Sequence, residues 1–374
     1  MSTFTIKNAL VVTNEVKKCD VLVKDGIIAG IGSFSEGDII DGEGMYLMPG
    51  LIDTHVHGVN GGAFDGIGEP FDDALTYEAA HGITSIAATT GTQPGYNFGE
   101  AYDHIACEAK RRTRGAKIMG IHSEGPCVSP AKKGAMNADA MVKPSAEFMR
   151  ELCSHGDGLL KLITVAPELD GAKEAAAEAI SHGVKLSMGH TNATAEEALA
   201  AIDFGFTRVT HTCNGMRAFT HRDPGILGVA LTDDRLMCEM ICDFVHLSPI
   251  AVKLVYKAKG AQNICIISDT GRISGLPDDD YRVYGKTRHS HDGAIYLDDG
   301  TIAGSWHTML KGVQNLYSIG VPLTDIALMA SYNPAKALDI EDKTGWIKVG
   351  LAADLVLMDS ALEPVKVFID GILQ

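Results

Sequence analysis

From Leu51 onward, short apolar runs alternate with longer stretches in which apolar residues recur three and four positions apart. That alternation predicts parallel βα units, each a buried strand followed by a crossover helix with one apolar stripe. Eight strand candidates result: Leu51 to His55, Ile83 to Thr89, Lys117 to His122, Leu159 to Val165, Val184 to Gly189, Arg208 to His211, Leu236 to Ile241 and Asn263 to Ser268. Among the intervening helices, Ala172 to Ile180 carries the three-and-four spacing. Ala195 to Ile202 follows Thr194 as N-cap with Glu197 at the reciprocal position, and Gly183 and Gly205 are sensible stops. Eight strands with crossover helices predict a closed (β/α)8 TIM barrel, whose chemistry belongs at the carboxyl ends of the strands.

The flanks read differently. Phe4 to Val12, Asp20 to Lys24 and Ile27 to Ile31 are short strand candidates, the last two joined by Asp25-Gly26, a favoured hairpin turn. Trp346 to Val349, Asp354 to Met358 and Val365 to Ile369 repeat the pattern and end in Asp370-Gly371. The expectation is therefore an α/β protein with two parts. Residues 1–48 and 344–374 form a small β-sandwich domain in which both termini share a sheet, and residues 49–343 form the catalytic barrel. A β excursion over Tyr281 to Gly304, with an Asp299-Gly300 turn, and helices over about His307 to Ser318 and Leu323 to Leu338 decorate the barrel.

The chain has 374 residues, of which 45% are hydrophobic and 21% charged, as expected for a globular protein with a large core. Its net charge of -16 excludes nucleic acid as a partner and means that an anionic substrate needs a local clamp. No apolar run reaches membrane-spanning length, and the first ten residues lack a cationic segment followed by an apolar one. The reading is a cytoplasmic enzyme with no membrane partner. Eight scattered cysteines, with Cys238 and Cys242 the closest pair, match neither a zinc knuckle nor a redox motif and read as free thiols.

Candidate chemistry clusters where a barrel would place it. His55 and His57 are one residue apart at the end of the first strand and project to the same side. Further strands end in Glu124, His190, His211 and Asp269. Singly, each has a dull alternative as a core histidine or a capping carboxylate; together they converge on one rim with ligand types suited to a divalent cation. Such an ion polarises a carbonyl and activates water, which is the basis of amide or ester hydrolysis. Asp269 is the candidate for moving the proton to the leaving group, its alternative role being that of a ligand.

Several stretches then match one family in order and spacing. They are Pro-Gly-Leu-Ile-Asp-Thr-His-Val-His (49–57), His-Ser-Glu-Gly-Pro (122–126), Lys-Lys-Gly (132–134), Gly-His-Thr (189–191), His-Thr-Cys-Asn-Gly-Met (211–216), His-Arg-Asp-Pro-Gly (221–225), Ser-Asp-Thr (268–270), Ala-Gly-Ser (303–305) and Asn-Pro-Ala-Lys-Ala-Leu (333–338). Over nearly its whole length the chain resembles the N-acetylglucosamine-6-phosphate deacetylases of the amidohydrolase superfamily. The resemblance implies that Glu124, His190 and His211 hold a divalent metal, zinc or iron. His55 and His57, which some members lack, are available to a second ion, and Asp269 is the catalytic base and acid. A superfamily alternative, a bridging modified lysine after the fourth strand, finds only Lys161 near that strand's start. The resemblance further implies a small-molecule sugar phosphate substrate, a homodimer, and substrate walls from Ala135, Met136, Asn214, Gly215, Arg222, His246 and the Ile302 to Ser305 turn (Ala303, Gly304, Ser305). Arg222 and His246 would lie near the phosphate, Arg222 acting either in its own subunit or, in a dimer, at the neighbouring site.

Two departures bear on the acyl pocket. Met136 stands where the family reads Lys-Lys-Gly-x-His, and a thioether cannot donate a hydrogen bond to the amide carbonyl. Trp306-His307 follows Ala-Gly-Ser where smaller or aliphatic residues are expected, which makes His307 the nearest alternative donor in sequence. The rival readings are a deacylase of unphosphorylated N-acyl substrates and a non-catalytic barrel; the latter expects eroded ligands, and all six are present.

Overall fold

The computed structural model of the chain describes residues 3–93 and 95–374. Eight parallel strands follow one another around a barrel in chain order. They are β1 (Leu51–Val56), β2 (Ile83–Thr90), β3 (Lys117–Glu124), β4 (Leu160–Val165), β5 (Lys185–Met188), β6 (Phe206–Val209), β7 (Met237–Ile241) and β8 (Ile264–Ile267). The expected strands coincide with these to within two residues at either end. The last strand meets the first at the carboxyl rim: Asp269 N donates to His55 O at 2.9 Å and His57 N to Thr270 O at 2.8 Å. Below them the Asp53 carboxylate accepts the Ser268 N–H at 3.2 Å. The barrel is thus stitched shut at the end that carries the candidate ligands.

Helices Ala172–Ser181 and Ala195–Asp203 lie where the spacing places them. The latter opens on a complete capping box, in which Glu197 N donates to Thr194 Oγ1 at 3.2 Å and Thr194 N to Glu197 Oε2 at 2.8 Å. Two donors that the first turn leaves without partners are thereby satisfied.

The flanking strands Thr3–Val12, Val16–Lys24, Ile27–Gly32, Asp38–Asp41 and Tyr46–Pro49 share one eight-stranded sheet with Leu355–Met358, Pro364–Ile369 and Ile372–Leu373. Tyr46–Pro49 and Leu355–Met358 join the two ends of the chain in antiparallel register, Tyr46 opposite Met358. The sheet curls on itself, so that Phe4 stacks on Phe368 with ring centroids 5.1 Å apart. Period-two alternation explains why Leu355–Met358 is buried on both faces. Leu355 and Leu357 enter the sheet's own core with Ile6 and Val21, whereas Val356 and Met358 enter the barrel core.

One expected strand is absent. Trp346 to Val349 forms turns, because left-handed glycines bracket it (Gly345 at φ 87, Gly350 at φ 95) and Leu351 N bonds back to Lys348 O. Only Ile347 is anchored in the sheet's core.

The excursion after β8 is a four-stranded antiparallel sheet of Asp280–Val283, Lys286–His291, Ala294–Tyr296 and Ile302–Ser305. Its Asp299-Gly300 turn is closed by Gly300 N to Leu297 O at 2.9 Å. Helix Met309–Ser318 follows, then a run from Leu323 to Ala337 that widens to a π-helical turn over Leu328–Tyr332. No helix among the described residues is long and apolar enough to cross a membrane, and all eight cysteines are free.

Candidate metal centre and active site

Glu124 is the last residue of β3, while His190, His211 and Asp269 each lie two residues beyond the end of their strands. All three of these take left-handed backbone angles, φ 45, 26 and 55. For a residue with a Cβ this conformation costs on the order of 1–3 kcal/mol, and it occurs preferentially at functional sites. Here it turns the chain at the rim so that the side chain points into the barrel mouth.

The outcome is a tight cluster. His190 Nε2 lies 3.1 Å from Glu124 Oε1, His211 Nε2 lies 3.0 Å from the same oxygen, and the two imidazole nitrogens are 3.1 Å apart. His190 Nδ1 donates to Lys132 O at 2.7 Å; a carbonyl only accepts, so Nε2 carries a lone pair into the cluster. Ligands about 2.0–2.1 Å from one tetrahedral ion stand roughly 3.3 Å apart, close to this triangle. The donor set of two imidazoles and one carboxylate therefore fits a divalent cation. The His190 ring is gripped between two left-handed glycines: a Cβ on Gly134 would meet its Cε1 at 3.0 Å, and one on Gly215 its Nδ1 at 3.0 Å.

His55, His57 and Asp269 form a second group beside the first. Asp269 Oδ1 is 3.5 Å from His55 Nε2 and from His57 Nε2, and His57 Nε2 is 3.3 Å from Glu124 Oε2. His55 Nδ1 faces Glu239 Oε2 at 3.0 Å, which leaves its buried Nε2 without a hydrogen-bond partner and aimed at Glu124 and Asp269. An orphaned buried nitrogen between two carboxylates is what a further cation would satisfy.

Burial alone would raise the pKa of Glu124 and of Asp269, but the surrounding histidines, His55 foremost, together outweigh it: with His190 and His211 they hold Glu124, and with His57 and His211 they hold Asp269, below the usual carboxylate range. Burial would lower that of His57, yet the Asp269 and Glu124 carboxylates push it up to about 9. His122, one strand turn below Glu124, behaves differently. Burial drives it down to about 3, and its two ring nitrogens already meet Thr54 O at 3.0 Å and Thr164 Oγ1 at 2.8 Å, so it is a neutral packing residue.

Sequence reasoning missed Glu239. It is fully buried in mid-β7, paired with Arg208 of β6 at 3.1 Å, and it orients His55. The signal was present: a carboxylate and a guanidinium each interrupting an apolar strand, at adjacent strand positions.

His57, Glu124, His190, His211 and Asp269 floor a cavity of about 380 Å³, within the range of small-molecule sites. Of the expected wall residues, Ala135, Met136, Asn214, Gly215, His246, Ile302, Ala303 and Gly304 line it. Two others, Ser305 and Arg222, do not, and neither does the candidate donor His307. Ser305 is buried beneath the wall, its N–H donated to Asp269 O at 3.0 Å, because the strand's alternation turns its side chain away toward His307 O. His307 packs against Gly293 and does not line the cavity. Arg222 is exposed on the loop before helix Gly225–Thr232 and lies outside the cavity of its own chain. Asp223 beside it pairs with Arg217 at 2.7 Å instead.

Comparison with known proteins gives the following. The family model described as "Amidohydrolase family" matches residues 46–373. The chain is similar to an N-acetylglucosamine-6-phosphate deacetylase of Lysinibacillus sphaericus, 35% identical over 96% of this chain and 94% of the relative. An N-acetylgalactosamine-6-phosphate deacetylase of Escherichia coli O157:H7 is 31% identical over 93% of each chain. Among solved structures, a mutant N-acetyl-D-glucosamine-6-phosphate deacetylase of Mycobacterium smegmatis in complex with N-acetyl-D-glucosamine-6-phosphate superposes with a TM-score of 0.92 at 29% identity, covering 100% of this chain and 99% of that one.

Proposed function

Because this chain belongs to the amidohydrolase family, we propose that it is a metal-dependent hydrolase that converts N-acetylglucosamine 6-phosphate to glucosamine 6-phosphate and acetate in amino sugar catabolism. The observation that carries the reading is the triangle of Glu124, His190 and His211 beside the Asp269 carboxylate on the floor of one cavity. Glu124, His190 and His211 would hold one ion, zinc or iron, and His55 with His57 would hold a second where two bind. A divalent ion there supplies Lewis-acid polarisation and activation of water.

The chain's own residues do the rest. Asp269, kept ionised, takes a proton from the attacking water as the new C–O bond forms. It delivers that proton to the amide nitrogen as the C–N bond breaks. Asn214, Gly215 and His246 bind one side of the sugar, Ala135, Met136, Ala303 and Gly304 the other. His246 is fixed by Asp243 at 2.7 Å. Burial would lower its pKa, but that carboxylate raises it above the ordinary value, which suits contact with a phosphate. Arg222, exposed on its own chain, reaches the partner's site in a homodimer. The enzyme is cytoplasmic, with the terminal sheet (1–48 and 344–374) and the barrel (49–343) as its two domains.

The test combines metal analysis of the purified protein with amine release from N-acetylglucosamine 6-phosphate, its galacto epimer and free N-acetylglucosamine. Stoichiometric metal and turnover of a phosphorylated sugar are expected. Turnover of the free sugar alone would overturn the reading in favour of an unphosphorylated N-acyl substrate.

A further inference from the structure

Arg288 lies in the strand Lys286–His291, opposite Tyr281, and lines the active-site cavity from the four-stranded sheet that overhangs it. Its Nη1 is buried without a hydrogen-bond partner, and among the described residues no carboxylate pairs with its guanidinium. Its neighbours at the cavity wall are otherwise engaged. Arg272 forks onto both carboxylate oxygens of Glu69 at 2.7 and 2.8 Å. Asp65 accepts from Tyr284 Oη at 2.6 Å and from Gln93 Nε2 at 2.8 Å. The wall therefore offers one guanidinium with its charge unspent.

Arg288 is half-buried with its Nη1 fully enclosed, and a cation drawn out of water is paired as a rule, because stripping water from a charge is unfavourable unless an opposite charge replaces it. Burial lowers the pKa of Arg288, the mark of that unmet demand. An anionic ligand entering the cavity would supply that opposite charge. The protein carries a net charge of -16 and its cavity floor holds Glu124 and Asp269, so an anionic ligand needs a compensating cation inside the cavity. Arg222 of the same chain stands outside it, and His246, the other cation placed near the phosphate, already pairs with Asp243 at 2.7 Å. We propose that Arg288 is a substrate-binding residue that grips an oxyanion of the substrate, its phosphate, from within the same chain. Planar guanidinium fits phosphate through paired hydrogen bonds, which a lysine does not reproduce.

The phosphate assignment rests on the proposed function, and the experiment separates the two. Metal-loaded full-length protein and its R288M and R288K variants are assayed on N-acetylglucosamine 6-phosphate and on free N-acetylglucosamine. In parallel, inorganic phosphate is titrated while the thermal midpoint is followed. R288M is expected to lower kcat/KM on the phosphorylated sugar by about 10- to 150-fold, mainly through KM, and on the free sugar by less than about threefold. Phosphate should raise the midpoint of the wild type and not that of R288M. R288K, which keeps the charge without the fork, should fall between the two and serves as the readout should R288M not fold. Equal losses on both sugars, or equal stabilisation of all three proteins by phosphate, would overturn the proposal. If the wild type released no amine from the phosphorylated sugar, yet phosphate stabilised it and not R288M, the substrate would be wrong and the anion site would stand.

Discussion

At the scale of single residues, the proposed centre would divide labour between groups that hold a metal ion and one, Asp269, that moves protons. Asp269→Asn keeps the size of the side chain and removes its basicity, so it should retain metal while kcat falls by roughly 10²-fold or more, read by metal analysis beside turnover. His190→Ala or His211→Ala should instead lose metal, since each removes one of three converging donors. Full occupancy in those variants would contradict the assignment. Glu239 does not line the cavity, yet its carboxylate accepts from His55 Nδ1 at 3.0 Å and so orients that imidazole. Glu239→Gln should weaken binding at the His55–His57 position by about 10- to 100-fold in a chelator competition, with Glu124, His190 and His211 still loaded. Loss of both ions together would show that Glu239 supports the barrel rather than one ligand.

At the scale of elements, helix Asp72–Ala80 carries a conspicuous defect. Glu78 is fully buried, both carboxyl oxygens lack a partner, and burial followed by repulsion from Asp53 raises its pKa well above the ordinary value. The folded protein therefore keeps a proton that the unfolded chain releases. Stability from this group is fully present below about pH 4.5 and declines as pH rises toward the raised folded value. Glu78→Gln removes the titration. Its thermal midpoint should match that of the wild type at pH 4.5 and exceed it at pH 8, where about 1 kcal/mol corresponds to roughly 1–2 °C for a chain of 374 residues. A constant difference across pH would mean that the carboxylate is stabilised in some other way. The same helix shows how far pattern reading reaches: a lone buried acid among alanines and a leucine looks like any surface glutamate of an amphipathic helix. The capping box at Thr194 and Glu197, by contrast, is local, and was legible because its bonds span three residues.

At the scale of the whole molecule, the exposure of Arg222 raises the question of what it serves. If it completes the neighbouring site of a dimer, Arg222→Ala and Asp269→Asn subunits are each impaired alone, but mixed dimers carry one site with both groups intact. Mixing the two under exchange conditions should restore up to about a quarter of wild-type activity, since half the dimers are mixed and each has one complete site. Absence of any recovery while subunits demonstrably exchange would confine Arg222 to its own chain.

Much of this protein was legible from pattern because its governing periods are local. The eight barrel strands follow from runs of four to eight apolar residues. His55 and His57 share a face because strand side chains alternate, and the rim position of Glu124, His190, His211 and Asp269 follows from where the strands end. Trp346 to Val349 misled because its apolar residues serve separate contacts between two left-handed glycines. What only the tertiary structure decided are pairings across the barrel, which leave no period in the chain. Glu239 finds His55 from 184 residues away, Ser305 turns under the wall while Gly304 faces the cavity, and Arg288 comes to the active site on a sheet that no local rule places over the barrel mouth. Hydrophobic spacing says which side of an element is buried; which charged groups meet once it is buried depends on long-range closure, and that is settled by packing and electrostatics together.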